Sequence, residues 1–164
     1  MHGTKRIFCA AFLATAAASL AFFPLLESSH AASLSAQVAE ADAVPAHHES
    51  APTSPLPATL SPTLFSEPVA QNAYRVAARI KKVLYQQPCY CHCDRSQGHT
   101  SLLDCFAGDH AAECGVCVAE DFYAYEQTRK GKTPAQIREG IERGDWHSVD
   151  LKKYETALPA KPTK

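Results

Sequence analysis

The sequence predicts an all-α fold: a small cysteine-rich helical domain of about three to four helices behind a disordered spacer. Three observations predict it. Apolar residues return at helical spacing in three segments, no stretch alternates convincingly enough to be a strand, and six cysteines crowd between Cys89 and Cys117.

Lys5 and Arg6 precede an apolar run from Ile7 to Leu26 that ends in small residues around Ser29-His30-Ala31. This is the layout of a secretory signal peptide, so residues 1–31 are read as a signal cut after Ala31. Left uncut, the run is long enough to anchor the chain in a bilayer, and that is the only membrane contact expected. Cys9 lies at the start of the run, without the neighbours of a lipoprotein processing site, and is expected to leave with the signal. The mature chain is therefore expected outside the cytoplasm, in the periplasm, the cell envelope or the medium.

Residues 32–67 turn to Ala, Ser, Thr and Pro, with Pro45, Pro52, Pro55, Pro57 and Pro62 and few large apolar side chains. Such a segment cannot bury enough surface to offset its ordering entropy and reads as a semi-rigid spacer. His47 and His48 within it are read as a solvated pair, because metal-binding tracts are denser in histidine.

The folded domain is assigned to residues 68–146. Val69, Ala73, Val76, Ala77, Ile80, Val83 and Leu84 recur at helical spacing, Pro68 suits a first helical turn, and Pro88 ends the run. A further helix is expected from Val118 to Lys130, stopped by Gly131, with Phe122, Tyr123 and Tyr125 as core or interface aromatics. Thr133-Pro134-Ala135-Gln136 is a capping box that opens the last helix, with Ile137 and Ile141 facing the core, Gly144 as its stop and Trp146 closing its end. A short helix around Ser101 to Phe106 is expected inside the cysteine region, and a frayed tail over residues 147–164. A chain of this size builds a thin hydrophobic core, so something must staple it.

Near-neutral charge, with a formal net charge of −1 and no basic stripe, excludes nucleic acid as the expected partner. Chemistry is concentrated in Pro88-Cys89-Tyr90-Cys91-His92-Cys93, then Cys105, then Cys114-Gly115-Val116-Cys117. If the first stretch is extended, Cys89, Cys91 and Cys93 share one face, with Tyr90 and His92 on the other. Cysteines two apart are awkward to bridge to each other, so their partners are Cys105, Cys114 and Cys117 or a shared metal ion. Tyr90 is expected to pack against the first helix and His92 to face solvent.

These residues, with Gly98-His99, Leu103-Asp104-Cys105-Phe106, His110, Ala124-Tyr125-Glu126 and Gly131-Lys132-Thr133-Pro134, resemble the bacterial family named for a PCYCGC motif, also called CYCXC. The resemblance runs from about Ala77 to Ile141. It implies no biochemical function, since the family has none established, but some members carry selenocysteine, which favours chemistry at sulfur over inert stapling. His92 stands where the motif usually has glycine. Many relatives look like lipoproteins; that anchor is not carried over to this chain.

Three functions remain. In the first, clustered cysteines bind a soft ion, Zn²⁺ or Cu(I): Cys91 and Cys93, or Cys89 and Cys93, with Cys114 and Cys117, and with Cys105, His99 and His110 in reserve. Asp104, Asp109, Glu113, Glu120 and Asp121 lie near the sulfurs in sequence, and their charge favours a cation while opposing thiolate formation. In the second, Cys114 and Cys117 form a redox dithiol that exchanges with a partner thiol protein. No βαβ context precedes that pair, so a thioredoxin fold is not expected. In the third, three disulfides staple an envelope interaction module. Haem attachment fails because Val118 follows Cys117 where a histidine is required. An iron–sulfur cluster is disfavoured, because the leader has Lys5-Arg6 rather than a twin arginine, and no nucleotide cofactor is expected.

Overall fold

The computed structural model describes residues 43–156. Two compact units divide the chain, Met1–Ala43 and Val44–Lys164, and the described residues belong almost entirely to the second. The expected signal, the start of the spacer and the end of the tail lie outside the described residues. No helix among the described residues is long and apolar enough to cross a membrane.

The expected all-α class holds: there are six α-helices and no strand among the described residues. They are α1 (Pro68–Arg79), α2 (Lys81–Leu84), α3 (Cys93–Gln97), α4 (Asp104–Ala107), α5 (Gly115–Arg129) and α6 (Pro134–Glu142). Short 3-10 turns cover Pro62–Leu64, His110–Glu113, Asp145–Ser148 and Leu151–Tyr154.

The axis of the unit is α5, on which nine consecutive residues from Cys117 to Tyr125 are buried. A helix apolar on all sides must be surrounded. Accordingly α1 and α6 both pack against it. The face of α1 that does so carries Ala73, Tyr74, Val76 and Ala77, all fully buried. The first helix was expected to run unbroken to Pro88, but it tightens at Ile80, whose N–H is shared between the carbonyls of Val76 and Ala77 at 3.2 Å each. The remainder is α2, ending well before Pro88.

The last helix forms as expected. Thr133 Oγ1 accepts the Gln136 N–H, and Gln136 Oε1 accepts the Thr133 N–H at 3.1 Å. Ile137 and Ile141 are buried, and Gly144 reverses the chain with φ 79°. Gly131 takes φ 78° just past α5, a conformation that costs glycine little.

Two segments expected to be loose carry contacts. Residues 43–67 have the irregular backbone of a spacer, yet Leu56, Leu60 and Phe65 pack on the core and the Leu60 N–H donates to the Phe106 carbonyl at 2.9 Å. His47 and His48 are not simply solvated. His48 stacks on Tyr85 at 3.8 Å, and His47 lies within 2.9 Å of the Pro45 carbonyl. The tail after His147 is expected to fray but docks through Tyr154, whose ring stacks on Phe122 at 3.6 Å while its hydroxyl donates to Glu126 at 2.6 Å. Asn72 then donates to the Tyr154 carbonyl. A single large aromatic supplies the burial that the polar tail lacks.

Candidate metal centre

Residues 85–113 hold only short helical pieces, and the cysteines are brought together by turns. The first turn decides the geometry. The His92 N–H donates to the Cys89 carbonyl at 3.0 Å, and His92 has φ 55°, the left-handed conformation. It is the only described non-glycine residue there. The stretch is thus a tight turn leading into α3 at Cys93, and the condition of an extended backbone is not met. The sulfurs still converge, because the reversal swings Cys89 and Cys91 back over the helix that carries Cys93.

The helix of Cys93 stops at Gly98, φ 68°, which delivers His99 beside it. Asp104 then fastens the following loop, accepting from the Thr100 N–H at 2.7 Å and the Thr100 hydroxyl at 2.8 Å. Cys105 sits on α4, His110 begins a 3-10 turn, and Cys117 is the third residue of α5.

The result is two triangles of donor atoms. In the first, Cys89 Sγ lies 3.3 Å from Cys91 Sγ and 3.4 Å from Cys117 Sγ, and Cys91 and Cys117 are 3.5 Å apart. In the second, Cys93 Sγ and Cys105 Sγ are 3.2 Å apart, with His99 Nδ1 at 3.1 Å from the first and 3.3 Å from the second. The triangles touch. Cys89, Cys91, Cys93 and Cys105 form one set of mutually close donors, and Cys91, Cys105, His110 and Cys117 form another, each within 4.8 Å throughout. His110 Nε2 is 3.7 Å from Cys91 Sγ, and the two imidazoles meet edge to face with centroids 5.5 Å apart.

Of the eight candidate ligands read from the sequence, the fold therefore assembles seven: Cys89, Cys91, Cys93, Cys105, Cys117, His99 and His110. Cys114 stands outside both donor sets. It is the N-cap of α5, with φ −114° and ψ 102°, and its thiol still meets that of Cys117. The predicted contact of Cys114 with Cys117 is kept, but Cys105 rather than Cys114 belongs to the sets of mutually close donors. Tyr90 is half-buried and edge-on to His92 at 6.0 Å, and the Nδ1 of His92 is buried without a hydrogen-bond partner. The expected solvent-facing His92 is thus only half right.

The same donors have a definite electrostatic order. Cys105, Cys117, Cys89 and Cys93 all bear on the half-exposed Cys91 through hydrogen bonds and pull its thiol pKa well down. Conversely, Cys117, Cys89, Cys91 and Cys93 push Cys105 well up. Neighbouring S–H groups that donate to Cys91 thus favour its thiolate over those of the other sulfurs. None of the six cysteines among the described residues is in a disulfide.

Two buried carboxyls complete the surroundings. Glu120 Oε1 accepts the Tyr90 N–H at 2.9 Å, which ties α5 to the backbone between Cys89 and Cys91. Burial lifts the Glu120 pKa to about 8, so it tends to stay neutral near the sulfurs. Asp121 is wholly buried, both its oxygens lack a partner, and burial raises its pKa well above the ordinary carboxylate value. From the sequence these were only nearby charge; the helical spacing from Cys117, three and four residues on, carried the signal that they share its face.

The PCYCGC family, described as proteins of unknown function with a PCYCGC motif, matches residues 16–148. The chain belongs to this PCYCGC family. No curated protein matches it, and no solved structure does. The PCYCGC motif here is Pro88-Cys89-Tyr90-Cys91-His92-Cys93, and the position usually held by glycine is the one that adopts the left-handed conformation. Glycine takes that conformation freely, and histidine is among the few other residues that tolerate it.

Proposed function

We propose that the protein is an exported metal-binding protein whose thiol cluster takes up a soft ion, Zn²⁺ or Cu(I). The observation that carries this reading is the triangular packing of the sulfurs. A disulfide framework pairs sulfurs two by two, whereas Cys89, Cys91 and Cys117 each have two sulfur neighbours within 3.5 Å. Thiolates and imidazoles are the donors such ions select over hard cations. Export is part of the proposal and rests on the signal-like residues 1–31; fractionation of cells expressing the full chain tests it.

The test of binding is native mass spectrometry of the protein as purified anaerobically, without added reductant, with thiol alkylation before and after chelation. The expected result is a metal-sized mass increment and cysteines that alkylate only once the chelator is present. A metal-free mass short of hydrogens would instead mean disulfides and would overturn the reading.

A second reading has one observation in its favour, the half-exposed Cys91 with two sulfurs within 3.5 Å and a thiol pKa pulled down by its sulfur neighbours. In thiol exchange the Cys91 thiolate attacks a partner protein's disulfide and forms a mixed disulfide while one partner thiolate leaves. Cys117, 3.5 Å away, then displaces the second partner thiolate. The partner disulfide is reduced and a Cys91–Cys117 bond forms. Exchange with a glutathione buffer distinguishes this: Cys91→Ser abolishes it if the reading holds, and the metal reading alone predicts no exchange at all.

A further inference from the structure

On the reading that the cluster binds metal, we propose that it is a binuclear centre holding two divalent ions, one in each triangle of donors, with one thiolate shared between them.

The seven donors do not crowd around one point. Distances within the Cys89, Cys91 and Cys117 triangle are at most 3.5 Å, and those within the Cys93, Cys105 and His99 triangle are at most 3.3 Å. The two triangles meet through Cys105, which also bears on Cys89, Cys91 and Cys117, and the donors of each close set lie within 4.8 Å of one another. A tetrahedral zinc with bonds of about 2.3 Å to sulfur holds neighbouring sulfurs about 3.8 Å apart, so each triangle opens only slightly to accept one. Four ligands complete such a site.

The count of donors then sets the stoichiometry. A single tetrahedral ion uses four of the seven donors and leaves three beside it in the core. Two ions need eight positions, which seven donors supply if one of them bridges. His110, 3.7 Å from Cys91, extends the first triangle. The second triangle then lacks one ligand, and Cys91, which belongs to both close-packed donor sets, is the sulfur that supplies it as the bridge.

Charge points the same way. Five thiolates and two divalent cations leave a net charge of −1, whereas one divalent cation leaves −3 on the same five thiolates. Cys89, Cys93, Cys105 and Cys117 are all buried, where uncompensated charge is expensive. Two monovalent ions also leave −3, so divalent ions suit this pocket better.

The experiment is titration of the chelated, reduced full chain with Cd²⁺ enriched in the NMR-active isotope, read by native mass spectrometry and by cadmium NMR. The expected result is two bound ions and two cadmium signals coupled to one another through the shared sulfur. His99→Ala, at a half-exposed position, and Cys93→Ser each lower the stoichiometry from two to one while far-ultraviolet circular dichroism stays unchanged. One ion per chain in the unmodified protein would overturn the binuclear centre and leave the metal reading standing. Two uncoupled signals would overturn the shared thiolate. No bound ion at all would sink the metal reading itself.

Discussion

Asp121 is the residue whose environment is hardest to reconcile with an ordinary aspartate. It is wholly buried, neither oxygen has a hydrogen-bond partner, and desolvation alone raises its pKa far above the reference 3.8. In the unfolded chain its proton leaves near pH 4, while in the fold it is retained to much higher pH. Across that interval the folded state holds one more proton, so this group's contribution to stability is complete below about pH 4 and declines by about 1.4 kcal/mol per unit as pH rises. Asp121→Asn has no proton to lose. Chemical denaturation of the chelated, reduced protein should therefore show the unmodified chain losing ground to Asp121→Asn between about pH 5 and pH 8. An equal gap at both ends would mean that Asp121 is already ionised inside the fold. At this scale the sequence was legible for residue identity and much less so for direction. The three clustered cysteines were visible as one site, but a shared face followed from the sequence only for an extended backbone, whereas a turn with His92 at φ 55° brings the sulfurs together. The spacing of Cys114 and Cys117 suggested a shared ion. The two thiols do meet, but Cys114, at the N-cap, lies outside the sets of mutually close donors that Cys117 joins from inside the helix.

The elements divide into those fixed by local signals and those fixed by distant contacts. Helices α1 and α6 were legible because proline, a capping box and helical apolar spacing are properties of a few neighbouring residues. The centrality of α5 was harder to see, since a helix buried on all sides has no amphipathic stripe to find. The docked tail was invisible, because its order depends on Tyr154 meeting Phe122 and Glu126 across a separation of about thirty residues. Tyr154→Ala measures that dependence. Removing a buried aromatic costs about 3–5 kcal/mol, and here it also strips a 2.6 Å hydrogen bond from Glu126. The expected outcome is a loss within that range in urea denaturation, with faster proteolysis after residue 147. A loss under about 1 kcal/mol would show that the tail only rests on the core and does not contribute to it.

Taken as a whole, the molecule has two halves held by different physics. Helices α1, α5 and α6 bury apolar surface against one another, with Tyr74, Val76, Phe122 and Ile137 fully enclosed. Residues 89–113 join that core through Leu102, Leu103, Phe106 and Ala111, all fully buried. Helices α3 and α4 are five and four residues long, far below the length at which a helix persists by itself. Beside those apolar side chains the segment also places Cys89, Cys93 and Cys105 inside. Bare thiols are weak hydrogen-bonding groups, so the turns that carry them depend in part on whatever the sulfurs bind. Removing the metal should then loosen one half and spare the other. A ligand present at a thousand times its dissociation constant adds about 4 kcal/mol, which for a domain of this size corresponds to a fall of at least about 10 °C in Tm on chelation. Amide exchange should accelerate across residues 89–113 and stay slow across 115–129 and 134–142, with little change in helical circular dichroism. Restoring Zn²⁺ should reverse all of it. If chelation leaves both Tm and exchange unaltered, the sulfurs stabilise this half by packing alone and no ion is bound. If α5 opens together with the cysteine loops, the cluster and the helical core form one cooperative unit, and Cys117, which belongs to both, is the residue that couples them.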